Sequence, residues 1–215
     1  KEYMKNKERY GGNWENSLIG GHILGHYMSA VAQGIVNPGV TAEQKEKLTE
    51  RLNYIIDSLA DCQKKTEGVT GIEGYIFGAT LPSSEFKKNV VLQFDNVESG
   101  KTNISTQAWV PWYTMHKILA GLTDAYEVAG NETALEVANK LATWIADRAN
   151  SWDTSTQNKV LSVEYGGMND ALYQLYKVTD ASNKEDFYSA AHKFDETSLF
   201  EGVLKGTDNI LNNKH

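Results

Sequence analysis

The 215-residue chain has a single cysteine, Cys62, and only three prolines. One thiol excludes an internal disulfide framework and any metal cage built from several thiolates of this chain. It also leaves the compartment undecided between secreted, periplasmic and cytoplasmic. Long apolar runs are missing: charge, Gly or His interrupts them every few residues, mean hydropathy is −0.47, and nothing approaches the ~20 apolar residues of a membrane span. Positive charge is scarce as well, with 21 Lys+Arg against 28 Asp+Glu and a net charge of −7. No stretch clusters Lys and Arg, so the chain would repel a phosphate backbone and nucleic acid is not an expected partner. No apolar signal-peptide core follows the polar start KEYMKNKERY, and the end, NNKH, is polar too. The chain therefore reads as a segment of something longer.

What is present is enough for a core. Hydrophobic residues make up 40% and aromatics 10%, far more than a disordered chain carries. The apolar period is mostly 3.6 residues, which predicts an all-α domain. Thr41 and Gln44 fit a capping box ahead of a stripe at Leu48, Leu52, Ile55, Ile56 and Leu59, and that helix is expected to end near Thr66. Pro111 suits a first helical turn, and a stripe from Met115 through Val128 stops at Gly130. Asn131 then caps a helix carrying Leu135, Ala138, Leu141, Ala142 and Ile145, so the two form an antiparallel hairpin. Further helices are expected over Trp14 to Ile35, Gly167 to Thr179 and Glu185 to Phe194, with a short one from Leu199.

The stretch 68–110 breaks this pattern. Gly71, Gly74, Gly78, Pro82 and Gly100 punctuate short β-rich runs such as GYIF and NVVLQF, predicting a long loop or a small β-hairpin. Ala125-Tyr126-Glu127-Val128 and Leu175-Tyr176-Lys177-Val178 sit fifty residues apart. Each is followed by a turn and a second helix, and such units stack into a solenoid or close into a helical toroid.

Three constellations could carry chemistry. In Gly20-Gly21-His22-Ile23-Leu24-Gly25-His26-Tyr27 two histidines stand at i and i+4 on one helix face, beside glycines that bare the backbone. Zinc would accept that spacing, but Ile23 replaces the glutamate of a metalloprotease helix and no third ligand is evident. The structural alternative is a hydrogen-bonded pair where helices pack through glycine. In Trp109-Val110-Pro111-Trp112-Tyr113-Thr114-Met115-His116, Trp112 and His116 share a face near a helix start. An indole beside an imidazole suits a sugar, whereas the alternative is an aromatic cluster sealing the helix. In Val163-Glu164-Tyr165-Gly166-Gly167-Met168-Asn169-Asp170, a carboxylate, a phenol and an amide surround a glycine turn that opens a helix. It could bind oxygens or could be a plain N-cap. All three lie at helix N-termini, so a toroid would gather them on one face, where a small-molecule cleft is the default expectation.

LIGGHILGHYMSA (18–30), WVPWYTMHKILAGLTDAYEVAGN (109–131) and EYGGMNDALYQLYKVTDA (164–181), in this order, resemble the β-L-arabinofuranosidase family, glycoside hydrolase family 127, and its relative family 146. The resemblance runs from about Gly12 to the C-terminus. It implies an (α/α)6 barrel followed by β-sandwich domains, of which residues 1–215 would form about the first half, the downstream half being absent. It further implies an exo-acting, retaining hydrolase of a bacterial kind that releases L-arabinofuranose from plant-type oligo- or polysaccharides. In the family the nucleophile is a cysteine thiolate on zinc and a glutamate is the acid/base. Zinc is held there by three cysteines and a glutamate that follow a His-Ala-Asn-Thr motif, and this chain stops on what resembles that histidine, His215. The resemblance therefore places zinc ligands and catalytic groups outside the chain, with no metal ligand within it, and implies no turnover by the segment alone. Cys62, beside Leu59 on its helix, reads as a small core residue. What carries over is substrate binding: His116 matches a substrate-contacting histidine, and His22, His26, Trp112, Tyr165 and Asn169 match motif positions around the pocket. Glu164 is a carboxylate beside that motif, but the family's catalytic glutamate belongs to a later segment.

Two rivals stay open on the residues alone. A non-catalytic carbohydrate-binding helical domain would use the same aromatics without cleaving a bond. Another (α/α)6-barrel hydrolase or lyase would use Asp170 or His116 without metal. Half a toroid would also expose apolar helix flanks, which predicts self-association or a local rearrangement.

Overall fold

The computed structural model describes residue 15, residues 17–79 and residues 83–210. Among them are ten helices and no strand: α1 (His22–Val36), α2 (Ala42–Thr70), α3 (Ser84–Lys88), α4 (Leu92–Glu98), α5 (Pro111–Glu127), α6 (Glu132–Ala149), α7 (Thr154–Leu161), α8 (Met168–Val178), α9 (Lys184–Lys193) and α10 (Thr197–Leu204). The expected helix start at Trp14, the break at Pro82 and the terminal His215 lie outside the described residues.

Three antiparallel hairpins, α1/α2, α5/α6 and α8/α9, stand side by side. Helix α5 packs between α1 and α8 in one layer, and α6 packs between α2 and α9 in the other. The local chemistry makes these hairpins. Thr41 caps α2 through a full capping box, Pro111 opens α5, and Gly130 in the left-handed region reverses the chain after it (φ 72°). The Gly130 amide then donates to the Tyr126 carbonyl at 2.8 Å and the Asn131 amide to the Ala125 carbonyl at 3.1 Å, while the Asn131 side chain accepts from the Ala134 amide at 2.8 Å. One tight turn thus satisfies both helix ends. The recurring Ala125–Val128 and Leu175–Val178 segments are the equivalent ends of α5 and α8.

The stripes anticipated from period face the core. Leu52, Ile56 and Leu59 of α2, Met115, Leu119 and Leu122 of α5, and Ala138, Leu141, Ala142 and Ile145 of α6 are all buried. Cys62 is a correction: it is exposed. Gln63 takes the inward position instead, four residues beyond Leu59 and seven beyond Ile56, and its amide donates to the Gly74 and Val137 carbonyls. A polar residue is accepted there because both bonds hold α2 to its neighbours.

The 68–110 stretch also differs from a simple loop or hairpin. Helix α2 runs on to Thr70, residues 75–79 carry no regular secondary structure, and two short helices follow. NVVLQF leads into α4 because Asn89 accepts from the Val91 amide and turns the chain. Phe94 and Val97, three residues apart, then bury on one side of a helix. Gln93 is the tie of this region, 1% exposed. It donates to the Leu18 and Ala79 carbonyls and accepts from the Trp109 amide. Arg148 of α6 clasps Glu98 and Asp95 of α4 from the other side. Helix α7, capped by Asp153, has no counterpart in the periodicity, since Val160 is its one buried residue.

Candidate active site

The amino ends of α1, α5 and α8 meet at one end of their layer. Gly25 brings α1 onto α5: a β-carbon there would stand 2.1 Å from the Lys117 carbonyl oxygen, and one at Gly121 would stand 2.6 Å from the Gly25 carbonyl. The bare backbone of this motif therefore serves helix contact. Beside it opens a cleft of about 360 Å³, lined by Gly25, His26 and Ser29 of α1, His116, Lys117 and Ala120 of α5, and Gly167, Asp170 and Ala171 at the start of α8. The expected gathering of three helix starts is thus realised.

His116 forms the floor. It is 6% exposed, and its ring lies under Gly166, whose left-handed backbone (φ 63°) passes so close that a β-carbon would stand 2.2 Å from Cε1 and 2.3 Å from Nδ1. The Tyr113 ring meets it edge-on at 5.1 Å. Nδ1 is buried and has no hydrogen-bond partner. Burial pushes the imidazole down to about 3, with the Lys117 ammonium and His26 adding to the shift; the Tyr113 backbone opposes it without reaching hydrogen-bond geometry. His116 is neutral at any ordinary pH.

His26 is exposed in the cleft. Partial burial first, then Lys117 and His22, hold it below the usual imidazole value. Lys117 sits over the Tyr113 ring, Nζ 5.1 Å from its centre, and burial lowers its pKa while Glu164 pulls the other way. The same two influences, burial and Glu164, raise the Tyr113 phenol. Glu164 itself is exposed.

The remaining candidates go elsewhere. His22 flanks the cleft, with Nδ1 2.8 Å from Glu15 and 3.1 Å from the Ile19 carbonyl, and its ring faces Tyr113. Trp112 is 1% exposed and sits in an aromatic core with Phe94, Trp152 and Phe194. At four residues before His116 it shares that helix side, but it lies one turn nearer the α5 start, where α4 and the end of α9 close over it. Tyr165 and Asn169 turn to the corner after α9. The Tyr165 hydroxyl donates to Glu196 at 3.4 Å, and burial followed by Glu196 pushes the phenol up to about 12. The Asn169 amide donates to Asp195 at 3.0 Å, which also accepts from Tyr173.

Ser29, Lys117 and a cleft-facing Asp170 are additions to the site residues expected from the motifs. A signal existed for the first: Ser29 is seven residues after His22 and three after His26, on their face of α1. Lys117 follows His116 and stands four residues after Tyr113.

Chemically, the cleft offers imidazole and ammonium donors, a carboxylate acceptor and a hydroxyl in a space suited to a molecule of monosaccharide size. It has no thiol, since Cys62 does not line it. Among the described residues no group of three or more His, Cys, Asp and Glu is placed to hold a metal ion, so they do not fit a zinc site. None of the helices of the described residues is long and apolar enough to cross a membrane.

In comparison with known proteins, the sequence matches the family described as "Beta-L-arabinofuranosidase, GH127 catalytic domain" over residues 1–215. No curated protein matches it.

Proposed function

Because the chain belongs to the β-L-arabinofuranosidase family of glycoside hydrolase catalytic domains, with a carbohydrate as its substrate, we propose that the cleft seats an L-arabinofuranosyl residue. The intact protein would release L-arabinofuranose from the end of a plant-type glycan. The observation that carries this reading is the convergence of His26, His116, Lys117, Asp170 and Ser29 on one small cleft. Neutral imidazole and lysine donate to ring and hydroxyl oxygens, and Asp170 accepts from hydroxyls, which is the mixed set a polyol needs. Of the residues singled out in the sequence, His116 and His26 act here directly. His22 supports the wall, and Tyr165 and Asn169 support the corner behind it.

Retention of configuration and a zinc-held cysteine nucleophile belong to the same proposal, with zinc, thiolate and acid/base all supplied by residues other than those described. The described residues bind and orient the sugar, and no bond-breaking step is assigned to them. The test is hydrolysis of a chromogenic β-L-arabinofuranoside by the intact protein, with and without a zinc chelator. Chelator-sensitive release is the expected result. No release from folded, zinc-loaded protein would turn the reading toward a carbohydrate-binding module, and turnover by the 215-residue chain alone would refute the assignment of the nucleophile elsewhere.

A further inference from the structure

His116 meets the cleft with one edge and the Gly166 backbone with the other. The Nδ1 edge is shut in: Gly166 covers it, and it makes no hydrogen bond, the Tyr113 backbone of the preceding turn acting on the ring without reaching that geometry. Nε2 lies toward Gly167, 3.7 Å from where a side chain there would begin; both residues line the cleft, and Nε2, unlike Nδ1, is not among the buried unpartnered atoms. A proton on Nδ1 would leave a buried N–H unpaired, which is the costlier kind of orphan, whereas a proton on Nε2 leaves only a lone pair unmatched. A proton on both nitrogens would place a cation against Lys117 of the same helix. His22 and His26 of α1 and Tyr113 of α5 offer no anionic partner. Asp170 of α8 and Glu164 ahead of it make no hydrogen bond to the ring, and Glu164 stands in solvent.

We infer that Gly166 is a positioning residue that locks His116 as a neutral imidazole protonated on Nε2, making it a fixed hydrogen-bond donor to the cleft and not a group that gives or takes a proton. The choice of a sugar oxygen as acceptor rests on the function proposed above, while the tautomer does not. A side chain of any kind at position 166 would collide with the ring and also be strained in its left-handed backbone. The Gly-Gly turn thus serves the imidazole more than it serves a bound anion.

Nitrogen NMR of the unliganded protein labelled with ¹⁵N-histidine separates the tautomers directly. One histidine, identified by its disappearance in His116→Gln, is expected to show an unprotonated Nδ1 and a protonated Nε2, unchanged across about pH 5 to 8. An Nδ1–H tautomer, or an imidazolium signal within that range, would overturn the inference. Gly166→Ala is expected to free the ring, giving mixed tautomers and titration near the usual value; a folded Gly166→Ala protein with the His116 spectrum unchanged would remove the role given to Gly166. If that variant does not fold, two substitutions at the ring itself decide the donor role. Glutamine places an amide N–H near Nε2 and asparagine places one near Nδ1. His116→Gln should bind L-arabinose within roughly tenfold of the parent and His116→Asn should lose binding, and the reverse order would contradict the assignment. An Nε2–H signal that ignores added L-arabinose would support the tautomer yet overturn the sugar-binding reading, so the two fail separately.

Discussion

A single imidazole links the stability of this molecule to its chemistry. The His116 pKa falls from 6.5 to about 3 on folding. Below pH 6.5 the unfolded chain therefore takes up a proton that the native state refuses, and the native state loses stability as pH falls through the window between those values. The slope is at most about 1.4 kcal/mol per pH unit for one proton, and it vanishes above the window. Urea denaturation of the parent and of His116→Gln between pH 4 and pH 8 should show this component in the parent only. Identical pH slopes would contradict the burial described for His116. At this scale the sequence was partly legible. His116 and His26 line the cleft, because residues at helix starts share a predictable end of the fold. Trp112 and Cys62 do not. The face of an indole at a helix start depends on which neighbours close over it, and the place of Cys62 was decided by Gln63 finding two buried carbonyls.

Elements were more legible than residues because capping and period are local. Thr41, Pro111, Gly130 and Asn131 act within a few residues of themselves, so α2, α5 and α6 begin and turn as their sequence dictates. Asn131→Ala tests that logic: loss of its bond to the Ala134 amide should cost about 1 kcal/mol in chemical denaturation without moving the fold, and a neutral substitution would mean that the hairpin is set by packing alone. The 68–110 stretch was illegible for the opposite reason. Short apolar runs suit a strand or a helix equally, and what settles α4 is long-range: Arg148 from α6, and Gln93 bonded to the segments before α1 and α5.

Over the whole molecule, three hairpins in two layers expose apolar side chains on their flanks, including Ile23, Tyr27 and Tyr54 at α1/α2 and Tyr188 at α9. We propose that these flanks drive weak self-association of the 215-residue chain, which sedimentation velocity over a concentration series would register as a rising average mass; a constant monomer mass would contradict it. The cleft is the part of the molecule on which the proposed sugar binding depends. Calorimetric titration with methyl β-L-arabinofuranoside is the most direct test of it, performed on the parent chain, on His116→Ala and on the remote Cys62→Ser. Saturable binding that survives Cys62→Ser and is lost in a folded His116→Ala protein is the result predicted. No binding by the parent, or binding indifferent to His116, would contradict the claim that this end of the helical layer holds the sugar.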